Sequence, residues 1–270
     1  MHSTACQHTS PHPTATDTAT DTATETAETR ETPLPTFIAQ QHVSYSVEDH
    51  AVWSLLFDRR MESLERTASC VFLDGAQRIG LRADRVPDLD AVNARLALLT
   101  GWSAVGVEGF IPAAQFFRCL AARRFPTTLG VRPRAQLDYL PEPDIFHDVF
   151  GHVPLHSDPV FADFLQRFGA LAARARSEQE ITEMARLFWF TVEFGLVQER
   201  GAVRVYGSGL ISSHADAANA LGPNCERRPF VLDDVLAQPF EIDHVQPVLY
   251  VVEGFEPLFE ATEVLSKRMV

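Results

Sequence analysis

The chain has 270 residues, 46% of them apolar and 22% charged, with a formal net charge of −13. That balance suits one sizeable globular domain or two small ones. The acidic excess excludes a general nucleic-acid or acidic-membrane binder, which needs surplus Lys and Arg, and no apolar run approaches the ~18 residues of a membrane span.

Residues 1–35 differ from the rest. Thr14-Ala-Thr-Asp17-Thr-Ala-Thr-Asp21-Thr-Ala-Thr-Glu25 repeats Thr, Ala and acid, and Pro33 and Pro35 close the stretch. It has too few large apolar side chains to offset the entropy of ordering, so a disordered tail is expected. It also lacks the basic start and apolar core of a signal peptide, and its acids are foreign to organellar transit peptides. Residues 36–270 are expected to form one domain, mainly α with a few short strands.

Ser46 should cap a first helix, with acids in its opening turn and Val52, Leu55, Leu56, Met61, Leu64 and Ala68 at helical spacing. A second helix is expected over Asp88 to Leu99, and a third from Pro112 carrying Phe116, Phe117, Leu120 and Ala121. Thr127 to Val131 reads as a short strand and Asp163 to Arg176 as a helix. Ser177-Glu-Gln-Glu180 is a capping box for a long helix that includes Glu193. Arg204-Val-Tyr206 and Val248 to Val252 read as strands, and Pro257 to Met269 as a last helix. Cys6, Cys70, Cys119 and Cys225 are scattered without a Cys-x-x-Cys pair, which points to a reduced, cytoplasmic setting and to no thiolate zinc site.

Two segments concentrate the chemistry. Glu193 sits among Phe190, Val192, Phe194 and Leu196, with Arg186 and Arg200 each seven residues away. A buried lone carboxylate is expensive, so it is protonated, paired with a distant Arg, or bound to metal. His147 and His152 are five apart, about 140° around an ideal helix. Gly151 and Pro154 can swing the second imidazole back at a helix end. Each His alone is more often a hydrogen-bonded core residue; paired, and joined to an isolated acid, they favour a metal. Zinc proteases use His-Glu-x-x-His, whereas here the spacing is longer and Asp148 follows the first His. Two His and one carboxylate with open positions make the facial triad of non-haem Fe(II) oxygenases.

The run Leu140-Pro-Glu-Pro-Asp-Ile-Phe-His147-Asp-Val-Phe-Gly-His152-Val-Pro-Leu155, with Trp189-Phe-Thr-Val-Glu193-Phe-Gly-Leu196 and Tyr206-Gly-Ser-Gly-Leu-Ile-Ser-Ser213, closely resembles the tetrahydropterin-dependent aromatic amino acid hydroxylases. It is most similar to the bacterial phenylalanine 4-hydroxylase type, over about residues 36 to 270. The resemblance implies a mostly α catalytic domain using Fe(II), O2 and a tetrahydropterin, either tetrahydrobiopterin or a related bacterial pterin. It places the iron ligands at His147, His152 and Glu193. It implies pterin contacts at Gly109, Ile111, Phe116 and Asp148, and substrate contacts at Arg132, Trp189, Gly209 and Ser212. Phe116 is otherwise read as core packing, Asp148 as a solvated helix residue and Arg132 as a surface Arg. Leu140 stands where animal members often carry Thr, so that substrate contact is in question.

Within the family, Trp189 resembles the phenylalanine and tyrosine hydroxylases, and Ile242 stands where tyrosine hydroxylases tend to carry an acid; the resemblance therefore implies L-phenylalanine as substrate, with tryptophan hydroxylation as the alternative. A zinc hydrolase on the same three residues, or a non-catalytic amino-acid-binding protein, are the readings from other classes. No nucleic-acid or membrane partner is expected. The length leaves no room for an added regulatory or tetramerisation segment, so a monomer or weak homodimer is expected.

Overall fold

The computed structural model describes residues 32–138, 142–242 and 244–269. The Thr-rich stretch before residue 32, and Leu140, lie outside the described residues. Ten α-helices and six short strands follow one another along the described chain, so the mainly α architecture expected from the sequence is the one observed.

Helix α1 (Val47–Thr67) opens with a full capping box. The Ser46 hydroxyl accepts the Asp49 N–H, and the Asp49 carboxylate accepts the Ser46 N–H at 2.8 Å. Helices α2 (Cys70–Ile79) and α3 (Leu89–Leu99) start on the side chains of Ser69 and Asp88. Next come β1 (Ser103–Gly106), α4 (Ala113–Ala121) and β2 (Arg124–Thr127), with β2 parallel to β1. The expected strand over Thr127–Val131 is therefore displaced toward the N-terminus. From Thr128 the chain bonds elsewhere: its N–H and hydroxyl both donate to the Asp148 carboxylate, at 2.7 and 2.8 Å.

Helix α5 (Pro159–Ala172) begins ahead of the expected Asp163, because Asp158 caps it and Pro159 pre-sets its first φ. Helix α6 (Glu178–Phe188) starts on the predicted Ser177–Glu180 box. Strands β3 (Leu196–Glu199), β4 (Ala202–Val205), β5 (Glu226–Pro229) and β6 (Val248–Val252) form a mixed sheet in the order β4-β3-β6-β5, with only β3–β4 antiparallel. Helices α7 (Ser208–Ser212), α8 (His214–Leu221) and α9 (Leu232–Ala237) fill the connections, and α10 (Glu256–Arg268) ends the described fold.

One aromatic cluster anchors the site from behind. Phe146 and Phe150 stack at 4.5 Å and 13°, Trp53 of α1 meets Phe146 edge-on at 5.3 Å, and Phe72 of α2 meets Phe150 at 5.6 Å. Trp53, Phe72, Phe146 and Phe150 are fully buried. Each contributes roughly 1.5–3 kcal/mol by leaving water, and together they fix the segment that carries His147 and His152.

Candidate metal centre and its flanking pockets

His147 and His152 lie on a π-helical segment, Phe146–His152. Its turns close five residues on instead of four, so positions i and i+5 return to one side. This corrects the expected cause of their approach: the widened turn, not a break at a helix end, brings the second imidazole round. Gly151 has no positive φ. Its smallness serves a close approach instead, since a Cβ there would stand 3.1 Å from the Ser208 carbonyl oxygen. Pro154 opens the 3-10 turn Val153–Ser157 that follows.

Glu193 lies on a second π segment, Trp189–Glu193, which continues α6 and is closed by the Phe194 N–H to the Trp189 carbonyl at 2.9 Å. Thr191 feeds this irregularity, because its hydroxyl donates to the Leu187 carbonyl at 2.5 Å and competes with the helical ladder. On an ordinary helix Trp189 would stand one turn before Glu193 and share its face, but the π segment changes that relation. The indole instead stacks on Phe240 at 4.5 Å and 16°, and tilts against Phe194 at 4.6 Å.

The two π segments bring three donors together. His152 Nε2 is 3.2 Å from Glu193 Oε1, and His147 Nε2 is 3.8 Å from Glu193 Oε2. The ligand atoms of all three residues lie within 4.8 Å of one another. Bonds of 2.0–2.2 Å at right angles would separate neighbouring donors by roughly 3 Å, so the observed spacing fits a single ion bound on one face. The imidazole planes stand at 88°, with centroids 5.1 Å apart.

Two serines of α7 orient this set. Ser212 donates its single proton to the Ser208 carbonyl at 2.9 Å, so it accepts from His147 Nδ1 at 2.9 Å. That bond fixes the Nδ1–H tautomer and turns the Nε2 lone pair inward. The Ser208 hydroxyl donates to Glu193 Oε2 at 2.7 Å. Burial would raise the Glu193 carboxyl, but His152, His147 and Ser208 outweigh it and hold it at about 2.

Asp148 is buried beside the two histidines and receives both Thr128 donors; burial pushes its carboxyl above the ordinary range despite them. It is thus not a solvated helix residue. Arg132 is not a loose surface residue either. Its Nε and Nη2 donate to Asp144 Oδ2 and Oδ1 at 2.9 and 2.8 Å, with side chains only 10% and 4% exposed. Asp144 also accepts the Arg132 and His147 N–H groups at 3.1 and 3.0 Å. One carboxylate therefore links the expected substrate cation to the first ligand. Burial opposes its ionisation, but Arg132 and these N–H groups keep it below the usual range.

Of the residues expected to contact a pterin, Gly109 is exposed with φ of +67°, and Ile111 is half-buried on the loop before α4. Phe116 meets Phe125 and Phe188 edge-on at 5.9 and 5.6 Å. Both rings face His152, at 4.6 and 6.5 Å, so an aromatic relay connects Phe116 to the triad. Gly209 backs on Glu193, where a Cβ would stand 3.1 Å from the Glu193 carbonyl oxygen. Sequence reasoning missed Asp144, Ser208, Phe240 and the buried Arg60. Asp144 and Ser208 lie inside the motif runs Leu140–Leu155 and Tyr206–Ser213, and Arg60 falls four residues from both Leu56 and Leu64 on the buried stripe of α1.

A family model for biopterin-dependent aromatic amino acid hydroxylases matches residues 6–269. The phenylalanine-4-hydroxylase of Chromobacterium violaceum is 43% identical over 221 residues, covering 81% of this chain and 74% of that protein. Its crystal structure with bound oxidized Fe(III) superposes with a TM-score of 0.83 at 41% identity, covering 86% of this chain and 85% of that one. The structure of the same enzyme holding iron(III) and 7,8-dihydrobiopterin gives 0.82 at 41% identity, covering 86% of each.

Proposed function

The chain belongs to the biopterin-dependent aromatic amino acid hydroxylases, and from that membership we infer that it is a phenylalanine 4-monooxygenase, converting L-phenylalanine to L-tyrosine with O2 and a tetrahydropterin at non-haem iron. The observation that carries this reading is the convergence of His147, His152 and Glu193 within 4.8 Å, in a fold whose relative holds iron and a biopterin. Two neutral imidazoles and one carboxylate suit Fe(II), leaving one face open and a residual positive charge. When bound, the iron and reduced pterin supply the electrons and coordination positions that activate O2 for insertion of one oxygen atom into the ring.

The protein's own contribution is placement and exclusion of water. His147, His152 and Glu193 would hold the iron, with Ser212 and Ser208 fixing their tautomer and angle. Gly109, Ile111, Phe116 and Asp148 would receive the pterin, an aromatic face suiting a flat heterocycle. Arg132, steadied by Asp144, would orient the amino-acid carboxylate through a planar fork. Trp189, backed by Phe240 and Phe194, would wall the aromatic ring, with Gly209 and Ser212 lining the same side.

The test is purified protein with Fe(II), a tetrahydropterin, O2 and each of phenylalanine, tyrosine and tryptophan. Tyrosine from phenylalanine is expected. Formation of 5-hydroxytryptophan with no tyrosine from the metal-loaded protein would reassign the substrate. We also read the enzyme as a cytoplasmic monomer or weak homodimer, which light scattering after gel filtration would measure. No described helix is long and apolar enough to cross a membrane.

A further inference from the structure

Helix α1 carries a buried stripe of Trp53, Leu56, Arg60 and Leu64. Arg60 is a cation in an apolar row, only 3% exposed. Burial costs it enough to lower its pKa to about 10, with Asp216 partly offsetting that cost. Among the described residues no carboxylate stands within ion-pair distance of it. Its guanidinium is spent on backbone instead. Nε donates to the Ile211 carbonyl at 2.7 Å and Nη2 to the Leu210 carbonyl at 2.9 Å. Nη1 meets Ser63 Oγ at 3.3 Å and His214 Nδ1 at 3.4 Å.

Those two carbonyls lie at the C-terminal end of α7, beyond the bond of the Ser213 N–H to the Gly209 carbonyl. Helix ends leave such carbonyls without intrahelical partners and carry partial negative charge, which a cation neutralises. A five-residue helix has little hold of its own. Yet α7 supplies both serines that orient ligands, Ser212 to His147 and Ser208 to Glu193, and Ser208 also packs on Gly151, next to His152. A shift of α7 would therefore reach all three donors.

We propose that Arg60 is a positioning residue for the metal centre: it clamps the C-terminal end of α7 and so holds Ser212 against His147 and Ser208 against Glu193. The proposal rests on the assignment of His147, His152 and Glu193 as ligands. Arg60→Met keeps the bulk and removes the donors and the charge.

Titrating the iron-free protein with Co(II) should show affinity weakened about 10- to 100-fold, as for loss of other supports behind metal ligands, with an altered visible Co(II) band. Leu96→Ala, a core truncation on α3 packed against β1, should lower the melting temperature but leave the Co(II) affinity and band unchanged. Arg60→Lys retains the charge but puts its donors on a single nitrogen without the planar fork, so an intermediate loss is expected; it carries the test if the methionine variant does not fold. Wild-type Co(II) affinity in a folded Arg60 variant, or equal weakening in Leu96→Ala, would overturn the clamp. Co(II) binding undiminished in Glu193→Ala would overturn the ligand assignment itself, and the clamp with it.

Discussion

Asp144→Ala removes the acceptor of four hydrogen bonds at once: the Nε, Nη2 and backbone N–H of Arg132, and the backbone N–H of His147. The Arg132 side chain is 10% exposed and would keep, among the described residues, the Leu137 carbonyl at 3.2 Å as its one hydrogen-bond acceptor, with the Phe146 ring 5.9 Å away. Removing one member of a buried ion pair costs about 3–5 kcal/mol, and each backbone N–H left dry adds about 1 kcal/mol or more. A total of at least about 5 kcal/mol follows, against the roughly 5–15 kcal/mol that holds a domain folded. At about 2–4 °C per kcal/mol for a chain of this size, the melting temperature should fall by about 10–20 °C. The assay is thermal unfolding of the iron-free protein at pH 7, so that altered metal binding does not enter the shift. Asp144→Asn keeps one acceptor oxygen and the shape, and should lose about half as much. A drop smaller than about 2 °C in Asp144→Ala would refute the reasoning, because the pair would then contribute nothing net. In the active enzyme the same variant should raise the KM for phenylalanine at least about tenfold, since Arg132 would no longer be aimed.

Three further outcomes are expected. Gly207→Ala places a Cβ 2.4 Å from the Gly195 nitrogen and 2.5 Å from the Glu193 carbonyl oxygen, both backbone atoms that cannot turn away; Co(II) affinity should fall more than about tenfold, and normal affinity would contradict the packing. Iron-free protein should lose stability in acid through Glu193, whose folded pKa of about 2 lies below its ordinary 4.5. The contribution is whole above pH 4.5 and disappears as pH falls toward 2, amounting to about 3 kcal/mol at 1.36 kcal/mol per unit; urea midpoints across that range should fall less steeply in Glu193→Gln than in the wild type. Phe240→Ala removes the ring stacked on Trp189 at 4.5 Å, so the KM for phenylalanine should rise about tenfold with kcat nearly kept; an unchanged KM would remove Trp189 from the substrate wall.

What could be read in advance is local chemistry. Ser46, Asp88 and Ser177 begin helices because a short polar side chain next to a helical run satisfies free N–H groups wherever it occurs. Glu226-Arg-Arg-Pro229 carries no strand pattern and becomes β5 only by lying parallel to β6. The π segments escaped for a different reason. Apolar periodicity cannot reveal one residue added to a turn, although the five-residue spacing of His147 and His152 was its trace. The triad was legible because a lone acid and paired imidazoles in apolar surroundings need a partner. Its supports were not: Arg60 and Leu210 are 150 residues apart, and nothing near either one names the other.

The ligand geometry is consequently held largely by elements distant in sequence, and not by the π segments alone. A π turn is a weak ladder by itself, and both ligand-bearing segments contain one. What holds each turn lies mostly outside it: the Trp53 and Phe72 rings against Phe146 and Phe150, and α7 against His147 and Glu193, with Asp144, just ahead of the first π segment, on the His147 N–H. The supports are independent of one another, so loss of one leaves the others to limit the movement. Substitutions behind the centre should therefore weaken metal binding in graded steps, whereas loss of Glu193 removes a donor that no other described residue in the cluster replaces.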